Sequence, residues 1–458
     1  MTTKIINPYS GDVVAEIKTS TGEDVQVAIG RAVDEKKTLA NMPVHERASI
    51  LTRAADIIAL RRQEIAELIT HESGKPIRYA LGEVNRCTET LMFAADAARS
   101  MHGETLQMSA ATGGVGKFGY YVRVPVGVVG AITPFNFPLN LVAHKVAPAV
   151  AAGCPIVLKP SPDTPLTALK LAEIMHEAGL PAGGLEVVVG DVEVGKALTT
   201  DKRVAMLTFT GSPGVAEAIS KVVGLRKATY ELGGNAATII ERDANLSDAL
   251  INRLAVGSFA YSGQVCISVQ RIYIHASLYD EFKERFVART KTLSIGDPLA
   301  AETEIGPMIT PEAAKRVELW VEEAASQGAN ILCGGKRDGQ VMLPTVLENV
   351  ADHMRVMCHE LFGPVVNIIP FDDFEAALAA ADASEFGLQA GLYTNDLNKI
   401  MRCINTLDVG GVIINDVPTF RVDQMPYGGN KRSGVGREGP RFAIEDMTTL
   451  KMVVINHN

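Results

Sequence analysis

Between residues 21 and 69 apolar side chains recur every three or four positions, with polar residues between them. In SILTRAADIIALRRQEIAELI, residues 49–69, that spacing lines one face of a helix. Residues 84–101 repeat it. The segment SAATGGVGKFG then breaks the pattern, and YYVRVPVGVVGAIT follows with the β-branched and aromatic content of a strand. From there, apolar runs of strand length alternate with helical stretches. The runs cover 126–133, 155–159, 185–189, 204–209 and 228–231; the helical stretches between them cover 139–152, 167–178, 193–200 and 215–223. Strands that alternate with helices predict right-handed βαβ units and a mostly parallel sheet, which binds ligands at the carboxyl ends of its strands. A second α/β alternation opens near Leu232. It holds a strand at 271–275, helices at 278–293 and 313–327, a strand near 330–333 and a helix at 375–384. The segment 450–456 reads as a closing strand with nothing after it to cover its edge.

Composition narrows the possibilities. Of the 458 residues, 47% are apolar and 21% charged, enough for a sizeable core and too apolar for a disordered chain. The net charge of −9 and the lack of a long Lys/Arg cluster argue against a nucleic-acid partner. The six cysteines, Cys87, Cys154, Cys266, Cys333, Cys358 and Cys403, are scattered, with no CxxC pair and no Cys/His spacing suited to zinc. No metal is expected, and the pattern fits a reducing cytosol. The start, MTTKIINPYSGDVVAEI, lacks the order of a signal peptide, and no apolar run approaches the ~18 residues that span a bilayer. A cytoplasmic protein without a membrane partner is expected.

Three glycine-rich motifs fail on context. Gly114, Gly116 and Gly119 match GxGxxG, as do Gly434, Gly436 and Gly439. That fingerprint holds a dinucleotide only between a strand and a helix whose N-terminus faces the pyrophosphate. The first match runs into the strand-like YYVRV and the second follows the loop MPYGGNKRS. A third segment, Gly190 to Lys196, follows a strand and opens a helix. Ala197 stands where a phosphate loop needs a hydroxyl, and Asp191 and Glu193 would repel phosphates.

Chemistry gathers in three stretches. In YSGQVCISVQR, Cys266 sits in a polar, glycine-containing turn. A lone cysteine is most often a small buried apolar side chain. As a nucleophile it needs help to lose its proton, and a helix N-terminus starting near it would supply part of that. In TYELGGNAA, Glu231 ends a strand and is followed by two glycines, which permit a sharp turn and a close approach to the backbone. A strand-end Glu in a salt bridge is the plainer reading; a general base is the other. In TPFNFP two prolines fix a turn, and Asn136 is either a turn residue or an amide aimed at a developing oxyanion.

With these stretches in place the sequence resembles the aldehyde dehydrogenase superfamily along almost its whole length. The matching motifs are PFNFP, IVLKPSPDTPL, FTGS, ELGG, GQVC, ELFGPV and MPYGG, in family order and spacing. The resemblance implies roles. Cys266 would be the nucleophile, passing through a thiohemiacetal and a thioester. Asn136 and the Cys266 backbone N–H would form the oxyanion hole. Glu231 would activate the hydrolytic water, and Lys145 matches a lysine near the proton path. Lys159 would hold the adenosine ribose, and Thr210, Gly211 and Ser212 would line the nicotinamide and pyrophosphate. Glu360 and Phe362 would hold the nicotinamide ribose and ring; Thr133, Pro134, Ser161 and Leu232 would complete the cofactor site. Hydride passes to NAD or NADP, with NAD placed slightly ahead. Many NAD-preferring members carry Glu where this chain has Pro162, so a 2′-phosphate would not be repelled. A later family glycine is replaced by Ala216, with Gly214 two residues before it.

Three residues are expected to line the substrate tunnel. Asn140 and His144 follow Asn136 at spacings of four and so share its helix face. Arg421, in PTFRVDQMPYGG, falls in the segment resembling the family's substrate entry, and Arg123 is a weaker candidate. Polar and basic walls suit a short aldehyde bearing a hydroxyl or an anion. Lactaldehyde, succinate semialdehyde and phosphono- or sulfo-aldehydes are of that type. The resemblance also implies an α/β architecture in three parts. Residues 1–106 and 126–231 would form a cofactor domain on a parallel sheet, and 232–430 an α/β catalytic domain. Residues 107–125 and 443–458 would form a β oligomerisation arm of a homodimer or a homotetramer, since an uncovered strand edge wants a partner. Two other readings compete: a CoA-acylating enzyme of the same fold, and a non-catalytic relative.

Overall fold

The computed structural model describes residues 2–457. The helical stretch 21–69 is three helices, Gly22–Asn41, Val44–Leu60 and Arg62–Ser73, followed by Ile77–Ser100. Thr21 and Asp24 start the first with a reciprocal capping box. Pro43 and Pro76, which have no N–H to give, each stand just before a new helix. The last of these helices begins seven residues ahead of the predicted 84, directly after Pro76.

The first sheet has six strands, in the order 434–435, 227–231, 204–210, 128–132, 156–159, 185–187. All pair in parallel except the first, Gly434–Val435, which runs antiparallel to Lys227–Glu231. Alternation along its strands feeds two cores. Val129, Ala131, Ile156 and Leu158 pack with the long helices of residues 44–100 and with helix Asn140–Ala152. Val128, Val157, Val204 and Leu207 pack against Gly22–Asn41, Val192–Thr200 and Pro213–Val223 on the other face. Asn140–Ala152 is buried along its whole length, and Asn140, His144 and Lys145 are the polar side chains it takes inside.

The second sheet has seven strands, in the order 330–333, 345–348, 365–371, 269–275, 236–240, 389–393, 411–414. Only Asn330–Cys333, at one edge, is antiparallel. A third sheet projects as an arm: Thr448–Asn456 pairs antiparallel with Lys117–Pro125, which pairs with Glu104–Leu106. Hydrogen bonding redraws three of the expected boundaries. The arm begins at Glu104 rather than 107, because that short strand needs Gly119–Tyr121 as its partner. Gly434–Val435 belongs to the first sheet although it lies beyond 430. Residues 443–446 lie in helix Pro440–Asp446, whose Ile444 joins the core beneath the first sheet. Among the described residues no helix is long and apolar enough to cross a membrane.

Candidate active site

Strands of the two larger sheets meet end to end around a cavity of about 310 Å³. The first sheet contributes carboxyl ends. Val128–Ile132 runs out into Pro134, Phe135 and Asn136; Val204–Thr210 into Gly211 and Ser212; Lys227–Glu231 into Leu232 and Gly233. The second sheet contributes amino ends. Cys266 lies just before Val269–His275, and Glu360 and Phe362 just before Val365–Phe371. Asn136, Glu231 and Cys266, from three distant stretches, therefore share one wall. A cavity of about 370 Å³ beside Asn235 and Arg271 holds none of the expected site residues.

Cys266 is placed by a strained segment. Tyr261, Ser262 and Gly263 have φ of 50°, 53° and 67°, costly for the first two. Tyr261 is pinned by its hydroxyl to Ser73 O at 3.0 Å and Ser262 by its hydroxyl to Gly306 O at 2.7 Å. A side chain at Gly263 would collide with Gly363 O. The expected helix N-terminus at Cys266 is absent: the residue occupies a turn, because this strained segment leads directly into a strand. Burial pushes the thiol up to about 11, against the hydrogen bond from Tyr427 and the charge of Arg421. The Tyr427 hydroxyl oxygen lies 2.9 Å from Cys266 Sγ.

Asn136 is buried and donates from Nδ2 to Gln264 O at 3.0 Å, which ties its loop to the cysteine's. Its Oδ1 has no partner, and neither oxygen of buried Glu231 has one. Burial, then the charge of Glu438, pushes the Glu231 carboxyl well above its ordinary value. The glycines after Glu231 admit other parts of the chain. A side chain at Gly233 would strike the Glu360 carboxylate, and one at Gly234 the carbonyl of Cys266. Gly234 N donates to Glu360 Oε1 at 2.9 Å. Burial raises Glu360 to about 7.

Behind the wall runs a chain of buried charges. Lys145 Nζ donates to Glu438 Oε1 at 2.8 Å and to Thr208 Oγ1 at 3.2 Å. Glu438 Oε2 accepts from Arg421 at 3.3 Å. Burial alone would raise Glu438, but the cations Lys145 and Arg421 outweigh it and hold the group below its ordinary value. His144 Nε2 lies 3.1 Å from Arg421 and 2.8 Å from Asp423 Oδ1. Asp423 also accepts from Asn140 at 3.1 Å and from Arg86 at 3.1 and 2.7 Å. Burial opposes its charge, yet the bonds from His144 and Arg86 hold it far below the usual carboxylate range.

This network corrects the expected tunnel. Asn140 and His144 do not reach the cavity wall, because their shared helix face packs onto Asp423. Arg421 also stands outside the wall: its guanidinium lies 3.6 Å from the ring centroid of Tyr427, which faces the cavity in its place. Arg123 lies in the arm, bonded to Thr448. Tyr427 and Glu438 line the cavity and were not assigned roles from sequence. Tyr427 lay in view inside MPYGG; Glu438 gives no local signal, since its partner Lys145 is 293 positions away.

The remaining residues fit a dinucleotide. Pro134, Thr210, Gly211, Ser212, Leu232, Glu360 and Phe362 line the cavity. Helix Pro213–Val223 starts at Ser212 with no side chain capping its free N–H groups, which suits a pyrophosphate. Thr133, Lys159 and Ser161 lie outside the wall, at the ends of strands Val128–Ile132 and Ile156–Lys159, where Thr133 N donates to Lys159 O. The Lys159 stem runs beside Gly195, whose Cβ would sit 3.6 Å away, so the glycine-rich segment 190–196 borders this groove.

The model of the aldehyde dehydrogenase family matches residues 1–453. A 3-sulfolactaldehyde dehydrogenase of Priestia aryabhattai is 47% identical over 454 residues, 99% of this chain and 94% of the relative. Among solved structures, aldehyde dehydrogenase 21 of Physcomitrella patens, in complex with the reaction product succinate, superposes with a TM-score of 0.98. It is 42% identical, with 100% of this chain and 95% of that one covered. A glyceraldehyde-3-phosphate dehydrogenase of Methanocaldococcus jannaschii, complexed with NADP, gives a TM-score of 0.95 at 40% identity, covering 99% of this chain and 98% of its own. The chain, with its sulfur, amide and carboxyl lining one cavity, belongs to the aldehyde dehydrogenase family.

Proposed function

We propose that this NAD(P)-dependent aldehyde dehydrogenase oxidises short aldehydes carrying an anionic or hydroxyl group, of the sulfolactaldehyde or succinate-semialdehyde type. The observation that carries the reading is Arg421, buried directly behind the Tyr427 wall. With Glu231 held neutral, the buried cations Arg421 and Lys145 and the half-buried Arg86 and Arg437 outnumber the anions Glu438 and Asp423 and the partly ionised Glu360 around the cavity. A field of that sign in a water-poor cavity favours an anionic substrate. The relatives named for sulfolactaldehyde and holding succinate point the same way.

Cys266 Sγ attacks the carbonyl carbon, and the electron pair moves to oxygen. Asn136 Nδ2 keeps one proton free after its bond to Gln264 and, with the Cys266 N–H, stabilises the oxyanion. Glu360 and Phe362 would hold the nicotinamide, which when bound would supply the hydride acceptor. Glu231, once ionised, takes a proton from the water that attacks the thioester, and the carboxylic acid leaves with the thiolate restored. A base in the cavity favours water over coenzyme A as the resolving group, and the full set favours an enzyme over a binding relative. Lys159 and Ser161 would hold the adenosine end, with NAD ahead of NADP. The edge strand Thr448–Asn456, with Leu450, Met452, Val454 and Ile455 exposed, supports pairing into a homodimer or a tetramer. Six unpaired cysteines support a cytoplasmic setting. A screen of NAD(P)H formation over sulfo-, carboxy-, phospho- and hydroxy-aldehydes tests the reading; a preference for long apolar or aromatic aldehydes overturns it.

A further inference from the structure

We infer that the Tyr427 hydroxyl is the donor that readies Cys266 for attack, and that Arg421 strengthens this donor from the face of the phenol ring. The inference rests on Cys266 being the nucleophile. The cysteine is half-buried in a turn, with no helix N-terminus behind it and the carboxyls of Glu360 and Glu231 facing it. A desolvated sulfur in such company resists ionisation. Among the described residues one side chain hydrogen-bonds Sγ, the Tyr427 hydroxyl at 2.9 Å.

The direction of that bond follows from the surroundings. Burial pushes the Tyr427 hydroxyl well above its ordinary value, so it keeps its proton where the thiolate forms. The phenol therefore donates and the sulfur accepts. The guanidinium of Arg421 lies 3.6 Å from the ring centroid. A cation on the π face draws charge from the ring and makes the O–H a stronger donor. The stack is braced from behind, since Arg421 donates to Glu438 and lies against His144, whose Nε2 proton goes to Asp423, which Arg86 holds with two nitrogens.

The same hydroxyl serves twice. It holds the thiolate before the S–C bond forms. It receives the thiolate again when that bond breaks and the electron pair returns to sulfur on release of the acid. A phenylalanine at 427 would fill the same space and lose only the donor, so Tyr427 touches the reacting atom and is a catalytic residue, while Arg421 acts through it as a positioning residue.

Peptide-resolved mass spectrometry of iodoacetamide labelling across pH, on the full chain, tests this. In Tyr427→Phe the apparent pKa of Cys266 is expected to rise by about one unit or more, with labelling near neutral pH about tenfold slower. The value of kcat falls alongside while KM for the aldehyde changes less than twofold. Arg421→Met shifts the profile the same way by less, and adds little further shift in the Tyr427→Phe background. Incorporating 3-fluorotyrosine at 427, with a more acidic hydroxyl, moves the profile the opposite way and guards against a misfolded phenylalanine variant. Superposable profiles for wild type and Tyr427→Phe overturn the inference. If instead wild-type Cys266 labels no faster than Cys333 or Cys358 and Cys266→Ser keeps its turnover, the nucleophile reading fails and takes the inference with it.

Discussion

Two buried charged clusters touch the helix Asn140–Ala152, and they are built on opposite terms. At its N-terminus, Glu83 accepts from Leu139 N at 2.9 Å and Asn140 N at 3.0 Å and pairs with Lys75, whose Nζ lies 3.9 Å from the Phe137 ring centroid. Glu72 treats helix Leu166–Glu177 alike, accepting from Leu166 N and Thr167 N at 2.7 and 3.0 Å. Every carboxylate oxygen there has a partner. At the catalytic wall, both oxygens of Glu231 and Oδ1 of Asn136 have none, nor does Nε of Arg421 behind it. Buried polar atoms left unpaired cost stability. A fold that pairs every carboxyl oxygen of the first cluster and leaves both oxygens of Glu231 open is holding the second for something that arrives: an aldehyde and a water.

The largest effect should come from the open cluster. Glu231→Gln keeps the shape and removes the base, so steady-state turnover should fall by about 10² to 10⁴. One equivalent of NAD(P)H per active site should still appear in a rapid burst, because the thioester forms and stays. Loss of the burst along with turnover would show that Glu231 serves an earlier step. In the wild type, a carboxyl held high is protonated and useless as a base at low pH. Turnover should therefore climb as pH rises through its ionisation, and the Gln variant should lose that limb of the profile.

The closed cluster should behave the other way. Glu83→Gln strands the Lys75 cation in the interior, and breaking a buried pair costs about 3–5 kcal/mol of stability. Denaturant unfolding should record that loss, while kcat of the fraction that remains folded stays near wild type. A large fall in kcat without a change in stability would make this cluster part of the chemistry.

Sequence and structure agree where information is local and part where it is not. Strand and helix periods located both sheets, and the motifs around Asn136, Glu231 and Cys266 pointed to a common site that the fold assembles. The misplacements have physical causes. His144 and Asn140 lie on the expected face, but that face is claimed by Asp423, which lies in a loop some 280 positions away in the chain. Arg421 comes close to the cavity and is screened from it by an aromatic ring six residues on. The absence of a helix at Cys266 was hidden because Tyr261 and Ser262 adopt left-handed backbone that no propensity favours.

Arg421 sits between the two terms of the comparison, since it is paired through one nitrogen and unpaired at Nε. Arg421→Ala should raise KM for anionic aldehydes about tenfold, the worth of one charge-assisted interaction. KM for a neutral aldehyde of the same length should hardly move, and equal effects on both would remove the anion-binding role of Arg421.

The smallest effect belongs to the proposed adenosine end, where Pro162 is exposed. The Lys159 stem runs beside Gly195 and its Nζ donates to Pro160 O, while Pro162 and Asp163 are exposed. A carboxylate at 162 would face the ribose from the side where many NAD-preferring relatives carry Glu. It would accept from the 2′-hydroxyl of NAD and repel the 2′-phosphate of NADP. Because the position is exposed, solvent screens the repulsion, and salt reduces it further. Pro162→Glu should therefore raise KM for NADP by roughly three- to tenfold at low ionic strength and leave KM for NAD within twofold. The NADP penalty should shrink in 0.5 M salt, while the effects of Glu231→Gln and Arg421→Ala, made in buried surroundings, should persist. A salt-independent penalty would mean that the new side chain acts by blocking the groove instead of by charge.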